Sequence, residues 1–167
     1  MDNMRTPDRA QTMQDYTLHY FLRPDHRDVS DLWIAGGRHG MRHLSGEVSR
    51  DWLFLHLENL HLSGAQTTCA FNSHTGGLAG FVTVDPASGW LDQIAVAQSA
   101  RGSGVAALLL DDAKRLSPQG IELDVVEDNQ RAIRFYEREG FRKTGLGAPA
   151  ANGARMWKMR WHGQTHS

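Results

Sequence analysis

The 167-residue sequence predicts a mixed α/β fold of the α+β kind, a mostly antiparallel sheet with one central parallel β–α–β crossover. Three observations predict it. Two short apolar runs, residues 67–71 and 78–84, flank Asn72-Ser73-His74-Thr75-Gly76-Gly77, which has the composition of a hairpin turn. Residues 90–96, 105–115 and 121–126 read as strand, helix and strand, so the two strands should lie parallel with a right-handed crossover. Residues 155–161 place Trp157, Met159 and Trp161 on one face and Lys158 and Arg160 on the other, the alternation of a late strand.

The remaining elements follow in chain order. Residues 1–14 are polar, contain Pro7 and lack periodicity, and read as a disordered leader. Residues 16–22 form a strand closed by Arg23-Pro24. Residues 25–35 form a helix with Val29, Leu32 and Trp33 as its apolar stripe, ended by Gly36-Gly37. Residues 38–47 are a loop bearing glycines and histidines, and Ser49 caps a helix running to about His61. Pro86-Ala87-Ser88-Gly89 precedes the strand 90–96, and Pro118-Gln119-Gly120 ends the crossover helix. Asn129 can cap a helix over 130–139, with Gly140 just past its end. Residues 162–167 read as a disordered tail, which leaves one domain over 15–161.

Composition excludes several classes. Lys and Arg number 18 against 19 Asp and Glu, a net charge of -1 without the basic footprint of a nucleic-acid binder or a pull towards anionic membranes. The apolar runs are short: Trp52-Leu53-Phe54-Leu55 stops at His56, far from the roughly 18 residues of a membrane span. The N-terminus lacks an apolar signal core, and the single Cys69 permits neither an intrachain disulfide nor a cysteine-based zinc cluster. A cytoplasmic, reduced domain is the expectation.

The segment with chemical content is Gln98-Ser99-Ala100-Arg101-Gly102-Ser103-Gly104-Val105-Ala106, between a strand and a helix. Two glycines let backbone N–H groups converge on an anion, and the helix adds its unsatisfied N-terminal donors. Phosphate or pyrophosphate suits such a cradle; a turn that binds nothing is the plain alternative. Gly102-Ser103-Gly104-Val105-Ala106-Ala107 also matches the dinucleotide pattern, with Glu122 near the place of a ribose-binding acid. Against that stand the residues Ala97 to Arg101 between strand and first glycine, the single crossover, and the antiparallel pattern before it.

At this loop the sequence resembles the GNAT acetyltransferase superfamily, whose motif Gln/Arg-x-x-Gly-x-Gly/Ala reads here Arg101-Gly102-Ser103-Gly104-Val105-Ala106. Ile94-Ala95-Val96 is similar to the strand ending that precedes it, with Gln98 where a proline is common. The likeness continues through Leu123-Asp124-Val125-Val126-Glu127-Asp128-Asn129, Ala132-Ile133-Arg134-Phe135-Tyr136-Glu137 and Gly140-Phe141, and covers about residues 90–145. The resemblance implies that the two parallel strands splay and that acetyl-CoA is the co-substrate, without a metal. It implies that the pantetheine arm pairs with Ile94, Ala95 and Val96, and that the pyrophosphate rests on the amides of Arg101, Gly102, Ser103, Gly104, Val105 and Ala106. By position, Asn129 resembles the residue that binds the pantetheine region, and Tyr136 the tyrosine beside the thioester sulfur. Asp124 matches the acidic position that accepts the proton in some bacterial members; Asp92 and Glu127 are its rivals.

The expected function is therefore transfer of an acetyl group to a primary amine of a small molecule or amino acid. Acetylation of a protein N-terminus or lysine, and a silent acetyl-CoA-binding module, stay open, and so does a homodimer. His39 and His43 are four apart, as a metal-binding helix would require, yet the surrounding glycines favour loop histidines over zinc ligands. Cys69 reads as an inert residue of a buried strand. Arg131, Arg134 and Arg138 form a solvated helix stripe expected to pair with Glu127, Glu137 or Glu139. Trp33 and Trp52 fall on the two early helices, with core packing as the expected duty of each.

Overall fold

Apolar alternation along the chain decides which face each strand residue takes, and two layers of helix follow from it. The computed structural model describes residues 7–36, 46–150 and 152–164. Strands β1 (Tyr16–Tyr20), β2 (Gln66–Asn72), β3 (Leu78–Val84) and β4 (Leu91–Val96) form an antiparallel sheet in that order. Strands β5 (Ile121–Val126), β6 (Arg142–Leu146) and β7 (Met156–Trp161) form a second antiparallel sheet, with β7 between the other two. The sheets join at one parallel bridge, Trp90 to Glu122, where Glu122 N donates to Gly89 O at 2.9 Å. Beyond that bridge β4 and β5 share no ladder. The predicted parallel pairing is thus confined to its first rung, and the strands open into a fork.

Helix α4 (Val105–Leu116) makes the crossover between β4 and β5, and α5 (Gln130–Arg138) follows β5. Val105, Leu109, Leu110 and Ala113 of α4 pack with Ile133 and Tyr136 of α5 onto Ala70, Val82, Leu91, Leu123 and Met159. At Gly80 an added Cβ would sit 2.9 Å from Leu109 Cδ1, so the missing side chain sets how closely α4 lies on β3. On the opposite face, α2 (His26–Ala35) and α3 (Gly46–Leu62) bring Val29, Trp33, Leu53 and Leu57 onto Cys69 and Phe81. Neighbouring strand residues therefore serve different cores: Cys69 and Ala70 on β2, Phe81 and Val82 on β3. Each fully buried Val, Leu or Phe side chain in these cores contributes roughly 1.5–3 kcal/mol of transfer free energy.

Several elements differ from the sequence expectation. β1 stops at Tyr20, because Arg23–Asp25 winds into a 3-10 turn tied by Leu22 N to Asp25 Oδ2 at 2.7 Å. Ser49 is not the cap of α3 but lies buried within it. The polar stretch read as a disordered leader carries helix α1 (Arg9–Asp15). Asp8 caps it by accepting from Ala10 N, and the buried Thr12 hydroxyl stands 3.1 Å from both Asp8 O and Ser103 O. Arg9 bonds Asp111 of α4 and Glu139 past α5, so tertiary contacts hold a helix too short to stand alone. β6 was not foreseen either: its five residues are all exposed and give no apolar alternation. In the expected tail, Gln164 N donates to Pro118 O. His39 and His43 lie outside the described residues.

Glu127 pairs with Arg155 and Glu139 with Arg9, so neither answers the arginine stripe of α5 as expected. Burial pushes the Cys69 thiol up to about 12, in keeping with an inert core residue. Among the described residues no helix is long and apolar enough to cross a membrane.

Two imidazoles tie stability to pH. Burial lowers the pKa of His61, which bonds Thr67 Oγ1 at 2.8 Å, and of His26, which meets the Phe54 ring edge-on. Their folded-state values lie below the unfolded value of about 6.5, so the unfolded chain takes up protons first as pH falls. Their contribution is whole above about pH 6.5 and is lost as pH drops through the folded values. Urea unfolding between about pH 7 and 5 should show a stability loss that is smaller in a His26→Gln, His61→Gln double variant; equal losses in both proteins would contradict this assignment.

Candidate functional site

A parallel pair that parts after one rung leaves backbone unpaired in the middle of a protein. β4 is bonded to β3 along one edge through Gly80–Val96, Phe81–Ala95 and Val82–Ile94, while its other edge, beyond Trp90, faces no strand. The backbone of Ile94, Ala95 and Val96 thus borders an open slot whose opposite wall is β5. Polar backbone in such a place calls for a partner, and an extended ligand with amide groups is one.

At the far end of β4 stands the glycine loop. Gln98–Ala100 forms a 3-10 turn, Gly102 has φ +78°, and Gly104 caps α4 at φ +90°, conformations that favour glycine. The amides of Gly102, Gly104, Ala106 and Ala107 have no acceptor among the described residues, and Val105 N has only a 3.4 Å contact to Ser103 Oγ. Arg101 is exposed beside them. These unsatisfied donors at a helix N-terminus suit an anion. The two glycines differ in surroundings: nothing lies within 4 Å of a Cβ built at Gly102, whereas one at Gly104 would meet Thr12 Oγ1 at 2.8 Å. Gly104 is needed for α1 to close on the loop, and Gly102 keeps the outer approach open.

Across the slot, α5 supplies Asn129 and Tyr136. Asn129 caps the helix, its Oδ1 accepting from Ala132 N at 3.2 Å, which leaves its amide donors free. Tyr136 is buried against Phe135 and Phe141 in the same apolar cluster that Ile94 and Val96 pack against. Its hydroxyl bonds to no described residue, and burial raises its pKa well above that of a free phenol. The group therefore stays protonated and has a proton to give.

On β5 the side chains alternate, with Leu123 and Val125 turned to α4 and α5 and Glu122 and Asp124 to the other face. There Lys158 lies 3.3 Å from Glu122, 3.7 Å from Asp124 and 5.4 Å from the Trp90 ring centre, and Arg160 is 3.5 Å from Glu122. Asp124 Oδ1 is buried without a hydrogen bond; 3.7 Å to Lys158 is Coulombic contact only. Gly147 lies directly over it, for a Cβ there would fall 2.5 Å from Oδ1. An orphaned carboxylate oxygen beside the fork is an acceptor awaiting a donor. Glu127, the rival carboxylate, pairs with Arg155.

Sequence reasoning named Asp92, Trp33 and Trp52 but missed His56 and the cluster the four form on that face. His56 of α3 donates from Nε2 to Asp92 Oδ2 of β4 at 2.8 Å. Its ring stacks on Trp52 at 4.6 Å, and Trp52 stacks on Trp33 at 5.5 Å. Trp33 is core, as expected, with Nε1 donating to Gln93 Oε1 at 3.1 Å. Trp52 is not: 36% exposed, it lines the surface. Residues 36 apart in sequence carry no local signal; the pair exists only once α3 lies on β4. Among the described residues no group of three or more His, Cys, Asp or Glu side chains could hold a metal.

Comparison with known proteins agrees with this geometry. Residues 39–141 match the Acetyltransferase (GNAT) family. Over 88 residues the chain is 38% identical to the acetyltransferase Atu2258 of Agrobacterium fabrum, a match spanning 49% of this chain and 60% of that protein. A nourseothricin acetyltransferase structure is 28% identical, with a TM-score of 0.54 over 60% of this chain and 66% of the other. A structure from Corynebacterium glutamicum, described as histone acetyltransferase HPA2 and related acetyltransferase, superposes with a TM-score of 0.72 at 20% identity over 92% and 99% of the two chains. A forked sheet, an anion-ready glycine loop in the fork and a family match across 39–141 lead to one assignment: the chain belongs to the GNAT acetyltransferase family.

Proposed function

We propose that the protein is an acyltransferase that moves the acetyl group of acetyl-CoA to a primary amine of a small molecule or amino acid, within one ternary complex. The observation that carries the reading is the fork itself: an unpaired β4 edge ending at unsatisfied amides on one side of the sheet, with an unsatisfied carboxylate on the other. These residues fit a coenzyme A thioester. The coenzyme would supply an activated acyl carbon and a thiolate leaving group. Gly102, Gly104, Ala106 and Ala107 would hold its pyrophosphate, with Arg101, Ser103 and Val105 shaping the loop; Ile94 to Val96 and the Asn129 amide would hold its pantetheine arm. Tyr136 would give a proton to the sulfur. Asp124 would draw the acceptor ammonium to the fork from the opposite face and take up or pass on its proton. The likeness to a protein named for nourseothricin supports a small acceptor, and the chemistry suits a cytoplasmic setting.

The deciding experiment follows free thiol from acetyl-CoA across a panel of amino acids, diamines and peptides. Amine-dependent release supports the reading. Binding of acetyl-CoA without release would make the protein a silent binding module instead.

Three variants and one control probe the parts. Acetyl-CoA at about a hundred times its dissociation constant should stabilise the fold by roughly 2.7 kcal/mol, a melting shift of roughly 5–10 °C. Gly102→Val should lose most of that shift because a side chain fills the outer approach to the amides. Gly64→Val, at φ +103° with equally open surroundings, carries comparable strain and should keep it. A Gly102→Val protein with the full shift would remove the loop from the site.

Tyr136→Phe should lower kcat by roughly ten- to a hundredfold while acetyl-CoA affinity stays within about threefold, since the ring still packs. Full activity in a folded variant would reduce Tyr136 to a core aromatic. Asp124→Asn should lower kcat/KM for the amine by roughly ten- to a hundredfold, chiefly through KM, because a hydrogen bond to a charged group is lost. The loss should shrink as rising pH deprotonates the amine; an unchanged KM would take the acceptor away from Asp124.

A further inference from the structure

We propose that His56, oriented by Asp92, is the terminal proton acceptor for the acceptor amine, with Asp124 holding the amine in place. The proposal rests on the acetyltransferase reading and adds to it a residue pair that neither motif nor family match singles out.

The first support is where Asp92 stands. Thr83 pairs with Gln93 and Val84 with Leu91, so Asp92 is the extra residue of a β-bulge, two positions past the bridge that ends strand pairing. Bulges re-aim a side chain, here towards α3. Asp124 stands two positions past the same bridge on β5. The two carboxylates thus flank the root of the fork, one on each arm, both on the face away from α4 and α5.

The second support is how His56 is held. Asp92 Oδ2 accepts a hydrogen bond from Nε2–H at 2.8 Å, which leaves Nδ1 as the bare nitrogen. Nδ1 bonds to no described residue, and the side chain keeps 28% of its surface exposed, against 17% for Asp92. The stack His56–Trp52–Trp33, anchored by the Trp33–Gln93 bond, fixes the ring plane. Asp92 is the one ion-pair partner of the ring among the described residues. From α2, Trp33 meets the ring's stacking partner Trp52, and Glu122, Asp124, Lys158 and Arg160 across the fork make no ion pair with it. Imidazole is the side chain most often used as a general base, and a carboxylate on its other nitrogen orients it for that role.

The step balances with groups on the page. The ammonium held at Asp124 first gives one proton to solvent; the neutral amine nitrogen then bonds the acyl carbon, the carbon–sulfur bond breaks, the nitrogen's second proton goes to His56 Nδ1, and the sulfur takes a proton from Tyr136. Solvent then takes the proton from the imidazolium and returns one to the phenol.

The test is a pH–rate series on the whole chain. His56→Phe keeps a ring on Trp52 and removes the acceptor. Its kcat should fall by about a hundredfold with the amine KM within about threefold, and the acidic limb of the kcat profile should vanish. The acetyl-CoA melting shift should stay, which shows that the fold and the coenzyme site are intact. His56→Ala should be partly rescued by added imidazole, and Asp92→Asn should lose rate with the limb displaced. If His56→Phe does not fold, rescue of His56→Ala and the Asp92→Asn limb decide. A His56→Phe rate within about twofold of wild type across the series, or a rate loss without change of limb and without rescue, overturns the proposal while leaving acetyl transfer standing. No amine-dependent thiol release by the wild-type chain overturns both.

Discussion

One rung of parallel pairing, Trp90 to Glu122, governs the rest of the structure. The crossover helix α4 commits β4 and β5 to run side by side, and a continuous ladder between them would satisfy both edges. Instead β5 is claimed along its length by β7, from Ile121–Trp161 to Val126–Met156, and β4 by β3. Each strand is satisfied on one side only. Tight loops hold the root of the fork closed: a Cβ at Gly89 would fall 2.4 Å from Gly120 O. With the root fixed and the arms anchored to different sheets, the opening is a standing feature of the fold that needs no strain to maintain.

The fork also separates two chemistries. Towards α4 and α5 the walls are largely apolar, and the Tyr136 hydroxyl set among them is kept protonated by its burial. Towards the other face the walls carry Asp92, Glu122, Asp124, Lys158 and Trp90. Alternation along β5 alone accomplishes this, for Leu123 and Asp124 are neighbours in sequence and opposites in orientation. A proton donor on one side and proton acceptors on the other, with a slot between, is what a transfer reaction with a leaving group and an incoming nucleophile requires.

Much of this was legible in the sequence because it is local. The strands Leu78–Val84 and Ile121–Val126 have the bounds read from their apolar runs and flanking turn residues, and the crossover helix starts where the glycine loop ends. The loop, Asn129 and Tyr136 could be read as a set because their spacing is a property of consecutive elements. What escaped is long-range. α1 is polar and short, and becomes helical through Thr12 on Ser103 and Arg9 between Asp111 and Glu139, contacts 91 to 130 residues apart. β6 buries nothing and is ordered by its pairing to β7. The His56–Asp92 pair depends on a bulge in β4 and on the seating of α3, neither of which leaves a mark in composition or period. Asp124 was nominated from its position, but its unsatisfied oxygen is a fact of packing under Gly147.

The central claim is that the slot between β4 and β5 is the coenzyme site, and backbone amide shifts on titration with acetyl-CoA address it most directly. The account predicts the largest changes at Gly102, Gly104, Ala106 and Ala107, continuing along Ile94, Ala95 and Val96 and across to Asn129. Changes concentrated elsewhere, such as the cavity of about 360 Å³ lined by Tyr20, Phe21, His61 and Thr67, would contradict it, as would no saturable change at all.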